Sequence, residues 1–159
     1  MKKHLISTSL FFLLFLGSVF PSSGMAEEGV AVIVNHSNSV DSVSFRELTQ
    51  IFKQEKQFWS GTQKIYLLMM GSPQEGKDKI LSNVYQMSDD ELRKFWISKL
   101  YRGEITETPK VILTPDSMKK FVASVSNSIG FMNASDVDQS VKVLKIDGKG
   151  PNDEGYPLK

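Results

Sequence analysis

The chain has 159 residues, 19 basic against 18 acidic, and no cysteine. Without cysteine there are no disulfides, thiolate nucleophiles, thiolate metal sites or lipidated N-terminal cysteine, and a charge so near balance excludes the basic surface that nucleic acid or an anionic membrane demands. The length suits one ordinary domain and not two.

Lys2 and Lys3 precede an almost wholly apolar run over residues 10–20, followed by Pro21 and small residues. This is the anatomy of a cleavable secretory signal. A membrane span needs about 20 apolar residues, so the shorter run here favours a leader over an uncleaved anchor. Gly24 and Ala26 fit the pattern before a cut after Ala26, which predicts a signal peptide over residues 1–26 and one domain over 27–159. The expected location is periplasmic or secreted, with the membrane met only through the signal. Removing Lys2 and Lys3 leaves the domain near neutral.

From there, short apolar runs alternate with amphipathic stretches, the pattern of an α/β domain. Val30-Ala31-Val32-Ile33-Val34 reads as a strand buried on both faces, and residues 35–39 as a polar loop. Ser44 and Glu47 form a capping box ahead of a helix from Phe45 to about Lys53, with Phe45, Leu48, Ile51 and Phe52 on one face. Phe58-Trp59-Ser60-Gly61 predicts a turn, and residues 65–69 a second buried strand. Ser72-Pro73-Gln74-Glu75 is another capping box with proline at the first helical position, and Ser88-Asp89-Asp90-Glu91 a third. The latter opens the longest helix, carrying Leu92, Phe95, Trp96, Lys99 and Leu100 and stopping near Gly103. Val111-Ile112-Leu113 predicts a short strand, Thr114-Pro115-Asp116 a helix start, and Met118, Phe121, Val122 and Val125 the apolar face that follows. After a turn at Asn127-Ser128 comes the strand at residues 129–132, and residues 141–146 alternate as a single strand near the sheet edge.

Few residues offer chemistry. His36 is the one histidine left after signal removal, and it has two readings: a solvated loop residue, or a ligand contact at a strand's carboxyl end. One histidine makes no histidine-rich zinc site, and no serine sits in a Gly-x-Ser-x-Gly elbow, so a hydrolase is not expected. Asp89-Asp90-Glu91 suits a first helical turn better than a calcium loop, which needs six or more oxygens at set spacing. Asp136-x-Asp138 has no flanking ligands either. No metal and no cofactor is expected. Phe58, Trp59, Trp96 and Tyr101 read as core residues or as an aromatic platform. In Gly71-Ser72-Pro73-Gln74-Glu75-Gly76-Lys77 a glycine turn leads from a buried strand into a capped helix, where free N–H groups suit a small anion. Simple capping is the competing reading, and Glu75 opposes an anion there.

Several segments together resemble the substrate-binding proteins of bacterial phosphate ABC transporters, in particular their short members. They are residues 30–40, residues 44–52 with Trp59 soon after, Ser128-Ile129-Gly130-Phe131, residues 140–148, and Gly155-Tyr156-Pro157-Leu158. The resemblance implies a type II periplasmic-binding-protein-like single lobe: a mixed, mostly parallel sheet flanked by helices. It implies a non-enzymatic protein that binds phosphate or another small anion in connection with ABC-type phosphate transport. The candidate ligand-binding residues, taken from the readings above, are Gly71, Ser72, Gln74, Gly76 and Lys77, with His36. Laid on that family's arginine, aspartate and Ser-Gly-Thr pattern, this chain has Met70, Ser72, and Gln74-Glu75-Gly76, so only a backbone N–H cradle is implied. The alternative is a ligand-free envelope module that docks a transporter, porin or sensor ectodomain through an exposed apolar patch around Phe58 and Trp59. A homodimer is a further possibility.

Overall fold

The structure, a computed structural model, describes residues 29–71 and 75–159. The proposed signal segment and its cleavage site lie outside the described residues. Among those described, no helix is long and apolar enough to cross a membrane.

Among the described residues, thirteen short elements build two layers of helix around a sheet. They run β1 (Val30–Val34), β2 (Ser42–Val43), α1 (Phe45–Phe52), β3 (Tyr66–Met70), α2 (Glu75–Ile80), a π-helical turn (Leu81–Tyr85), α3 (Asp89–Tyr101), β4 (Lys110–Ile112), α4 (Pro115–Ser124), β5 (Ser128–Asn133), a 3-10 turn (Ala134–Asp136), β6 (Lys142–Val143) and β7 (Lys145–Ile146). The five-stranded sheet has the order β4-β3-β5-β1-β6, and β2 pairs with β7 in a small second sheet. β3 is parallel to both β4 and β5, whereas β1 is antiparallel to β5 and to β6. Four strands therefore point one way and β1 alone runs against them, which is the mixed, mostly parallel sheet expected.

β1 is buried along its whole length because it lies between two neighbours with helices above and below. Alternate side chains of a strand face opposite layers. On β5, the Phe131 ring lies 6.0 Å from that of Phe52 in α1, while the Ser128 hydroxyl donates to Val125 O at the end of α4, 2.6 Å away. Thus α1 covers one face and α4 the other. Asn35, which the sequence reads as loop, is buried because its amide donates to Val122 O and Ala123 O, both at 2.8 Å. These are carbonyls in the last turn of α4, which have no partner within a helix.

The caps are mostly as expected. At α3 both halves of the box form, Ser88 accepting from Glu91 N and the Glu91 carboxylate from Ser88 N. At α4, Thr114 accepts from Ser117 N, with Pro115 at the first position. At α1 only half the box exists: Ser44 accepts from Glu47 N, but the Glu47 carboxylate is drawn away to an ion pair with Lys56. The stretch at residues 141–146 is also not one strand. It breaks at Leu144, whose N–H donates to Val32 O; Lys145 and Asp147 then donate to Asp41 O and Val43 O across the small sheet. The π-helical turn was not legible in the sequence. It closes at Gln86, in a left-handed conformation.

Candidate functional site

β3, β4 and β5 are parallel, so their carboxyl ends share one end of the sheet. Two helices, α2 after β3 and α4 after β4, start there, and this is where open α/β sheets hold their ligands. Ser72 and Gln74 lie outside the described residues. Gly71 N–H already donates to Ile112 O at 2.8 Å, so it continues the sheet ladder. Gly71 serves the site by being small: a Cβ there would fall 2.8 Å from Leu113 Cδ2. At Gly76 a Cβ would stand 2.9 Å from Asn133 Oδ1, so glycine lets α2 settle against the end of β5.

Gly76, Met70, Pro115, Met132, Asn133 and Asp136 line a small recess here, about 10 Å³, near the volume one water requires. Asn133 was not picked out by sequence reasoning, and Asp136 was weighed only with Asp138 as an acidic pair. The signal available was their place at the end of, and in the turn after, a strand parallel to β3, but that requires knowing strand direction.

The cations near this end are already engaged. Lys77, buried, pairs with Asp89 Oδ1 at 2.5 Å and turns toward α3, into a groove lined by Met69, Met70, Trp96 and Val111. Lys119 of α4 bridges Asp138 Oδ2 at 2.9 Å and Asp116 Oδ1 at 3.3 Å. Hydrogen bonds from Ser140 and then Lys119 hold the Asp138 carboxyl well below the usual carboxylate range. In turn, hydrogen bonds to Asp138 and Asp116 raise the Lys119 amine. Both amines are thus committed to carboxylates, and Asp136 adds another acidic residue to the recess.

His36 is not brought to this site. It follows β1, the strand of opposite direction, and so sits at the other end of the sheet, exposed, with Nε2 2.9 Å from Gln139 O. The aromatic residues divide. Trp59 and Trp96 are buried, and Trp59 Nε1–H donates to Asn127 O at 3.0 Å, so the patch expected around Phe58 and Trp59 is reduced to a half-exposed Phe58. Among the described residues, no three His, Asp or Glu side chains gather as a metal site.

The sequence matches no family model and no curated protein. Solved structures do match its fold. An ABC-type phosphate transport receptor from Vibrio cholerae is 21% identical with a TM-score of 0.64, over 79% of this chain and 48% of the receptor. A phosphate ABC transporter substrate-binding protein with bound phosphate, from Clostridium perfringens, is 19% identical with a TM-score of 0.67, over 82% of this chain and 52% of that protein. PstS from Borrelia burgdorferi is 14% identical with a TM-score of 0.61, over 82% and 54%. The chain thus has the periplasmic-binding-protein-like fold of phosphate transport receptors, and spans about half the length of those it matches.

Proposed function

We propose that this chain is a non-enzymatic substrate-binding lobe, acting outside the cytoplasmic membrane, that takes phosphate or a similarly small oxyanion weakly in connection with ABC-type transport. The observation that carries the reading is that β3, a buried strand parallel to β4 and β5, ends at Met70 and α2 begins at Glu75, at the carboxyl end of the sheet. Backbone N–H groups over residues 72–76 are the donors. Gly71 and Gly76 let the surrounding chain close in, and Lys77 adds a positive field although its amine is bound to Asp89. His36 has no part in it.

With no arginine in the turn and Asp136 beside it, affinity near millimolar is expected, about −4 kcal/mol. Weak binding is what a water-exposed amide cradle gives, because charge attraction is small in high dielectric. The test is an NMR titration of the purified protein with inorganic phosphate, sulfate and acetate. Saturable amide shifts over residues 72–77, and none near His36, are expected. Flat amides at tens of millimolar phosphate would rule the proposal out in favour of the ligand-free docking module, which draws its support from apolar side chains exposed on α3 and β4.

A further inference from the structure

The outer face of α3 carries side chains that a surface helix normally avoids. Ile97 is 61% exposed, Leu100 38% and Tyr101 93%; on the neighbouring edge strand, Val111 is 58% and Leu113 71% exposed. Ile97 and Val111 line one groove, and Val111 and Leu113 both lie against Gly71, so the five residues form a continuous patch. Scattered apolar side chains on a surface need no cause, but a contiguous patch of large ones marks a covered surface.

The face of α3 also has a polarity along its axis. Helical spacing puts Asp90, Arg93, Lys94, Ile97, Leu100 and Tyr101 on one stripe. Charged residues, Asp90 paired with Arg93 and then Lys94, occupy the half before Ile97, and apolar and aromatic ones the half after it. Arg93 and Tyr101 stand equally far from Ile97, about 6 Å along the axis at 1.5 Å per residue. A second copy laid antiparallel across a twofold axis at Ile97 therefore sets Arg93 against Tyr101 of the partner subunit. It sets Lys94 against Leu100 of the partner subunit in the same way.

We propose that this face is the interface of a symmetric dimer, in which Ile97 packs on itself across the axis. The Arg93 guanidinium lies over the partner's Tyr101 ring, a cation–π contact, and the Lys94 stem covers the partner's Leu100. Both pairs occur twice because such an interface is isologous. Asp90 falls opposite the partner's Glu104, but each is already neutralised within its own chain, Asp90 by Arg93 and Glu104 by Arg102 and Lys99. A homodimer agrees with the near-neutral charge of the chain, since two copies of a strongly charged protein would repel. The inference stands on α3 and β4 and does not depend on anion binding.

The absence of cysteine makes a clean test possible. Helices packed about 8–10 Å apart, each with its Cα atoms about 2.3 Å from its axis, bring facing Cα atoms to about 3.5–5.5 Å. That range overlaps disulfide reach, about 4.4–6.8 Å. Ile97→Cys should form an intermolecular disulfide under mild oxidation in dilute solution, and Ser60→Cys, exposed and remote, should not. Sedimentation equilibrium of the unmodified protein should show a monomer–dimer equilibrium, weakened at least about 100-fold by Ile97→Glu and about 10-fold by Arg93→Glu, as for central interface residues. Circular dichroism and thermal melting should confirm that both variants stay folded, because both positions are exposed. A monomer at every concentration overturns the proposal. So does a dimer indifferent to Ile97→Glu, or a face that crosslinks only to another envelope protein.

Discussion

Tyr85 closes the π-helical turn, is 1% exposed, and its hydroxyl donates to Phe52 O at 2.6 Å. Phe52 ends α1, and a carbonyl at a helix C-terminus has no partner within its own helix. Tyr85→Phe keeps the ring, with its tilted and edge contacts to Phe52 and Trp96, and removes the donor alone. Leaving a buried acceptor unmade costs about 1–3 kcal/mol; the void left by one oxygen adds little, so a loss of about 2 kcal/mol is expected. For a domain of this size that is about 6–10 °C in Tm. Urea and thermal unfolding followed by far-UV circular dichroism at pH 7 measure it directly. The pH dependence gives a second reading. Burial pushes the Tyr85 phenol well above its ordinary 10.0, so the folded state favours the neutral form. Its contribution is fully present below pH 10 and declines as the pH climbs past that point, because the unfolded chain ionises first. The gap between wild type and Tyr85→Phe should therefore narrow above pH 10. A gap below about 0.5 kcal/mol at pH 7, within ordinary surface scatter, would refute the assignment of Tyr85 as the cap of α1.

Gly76→Ala should cost about 1–2 kcal/mol from overpacking against Asn133, less whatever helix propensity returns, up to about 1 kcal/mol. Adding Asn133→Ala should recover more than half, as read from denaturant midpoints. Glu104 is held down to about 2 by hydrogen bonds from Arg102 and then Lys99. Its stabilisation is therefore present above pH 4.5 and lost as the pH falls toward 2. Glu104→Gln should lower stability at pH 7, and its unfolding midpoint should meet that of the wild type near pH 2. His36→Ala should change stability by less than about 0.5 kcal/mol and leave phosphate-induced amide shifts unaltered, checked by the same titration.

Local signals were legible where the chain satisfies itself locally. The apolar run of β1, the Ser88–Glu91 box and the Thr114-Pro115 start all stand where the residues put them. Failures came where a distant partner competes. Lys56 takes the Glu47 carboxylate from its box, and Asp41 O and Val43 O draw the N–H groups of Lys145 and Asp147 away from β1, splitting an apparently regular strand. Asp89 claims Lys77 from the turn it was expected to serve. His36 illustrates the hardest case, because a strand's burial is written in its composition while its direction is set by the neighbours it finds. Leu100, grouped with the apolar face of α3, and Tyr101, read as core or as part of an aromatic platform, are both exposed, because helical spacing alone does not say how wide a stripe is covered.

The reversed strand β1, inside the sheet, also bears on how the protein comes to be folded. β1 is made early, yet its neighbours are residues 129–133 and 142–143, about a hundred positions later, and such non-local pairing slows folding. A growing chain holds its most apolar strand without either sheet partner until about a hundred further residues have been made. Delayed closure of this kind lengthens the interval in which an apolar strand with two unpaired edges is open to wrong partners.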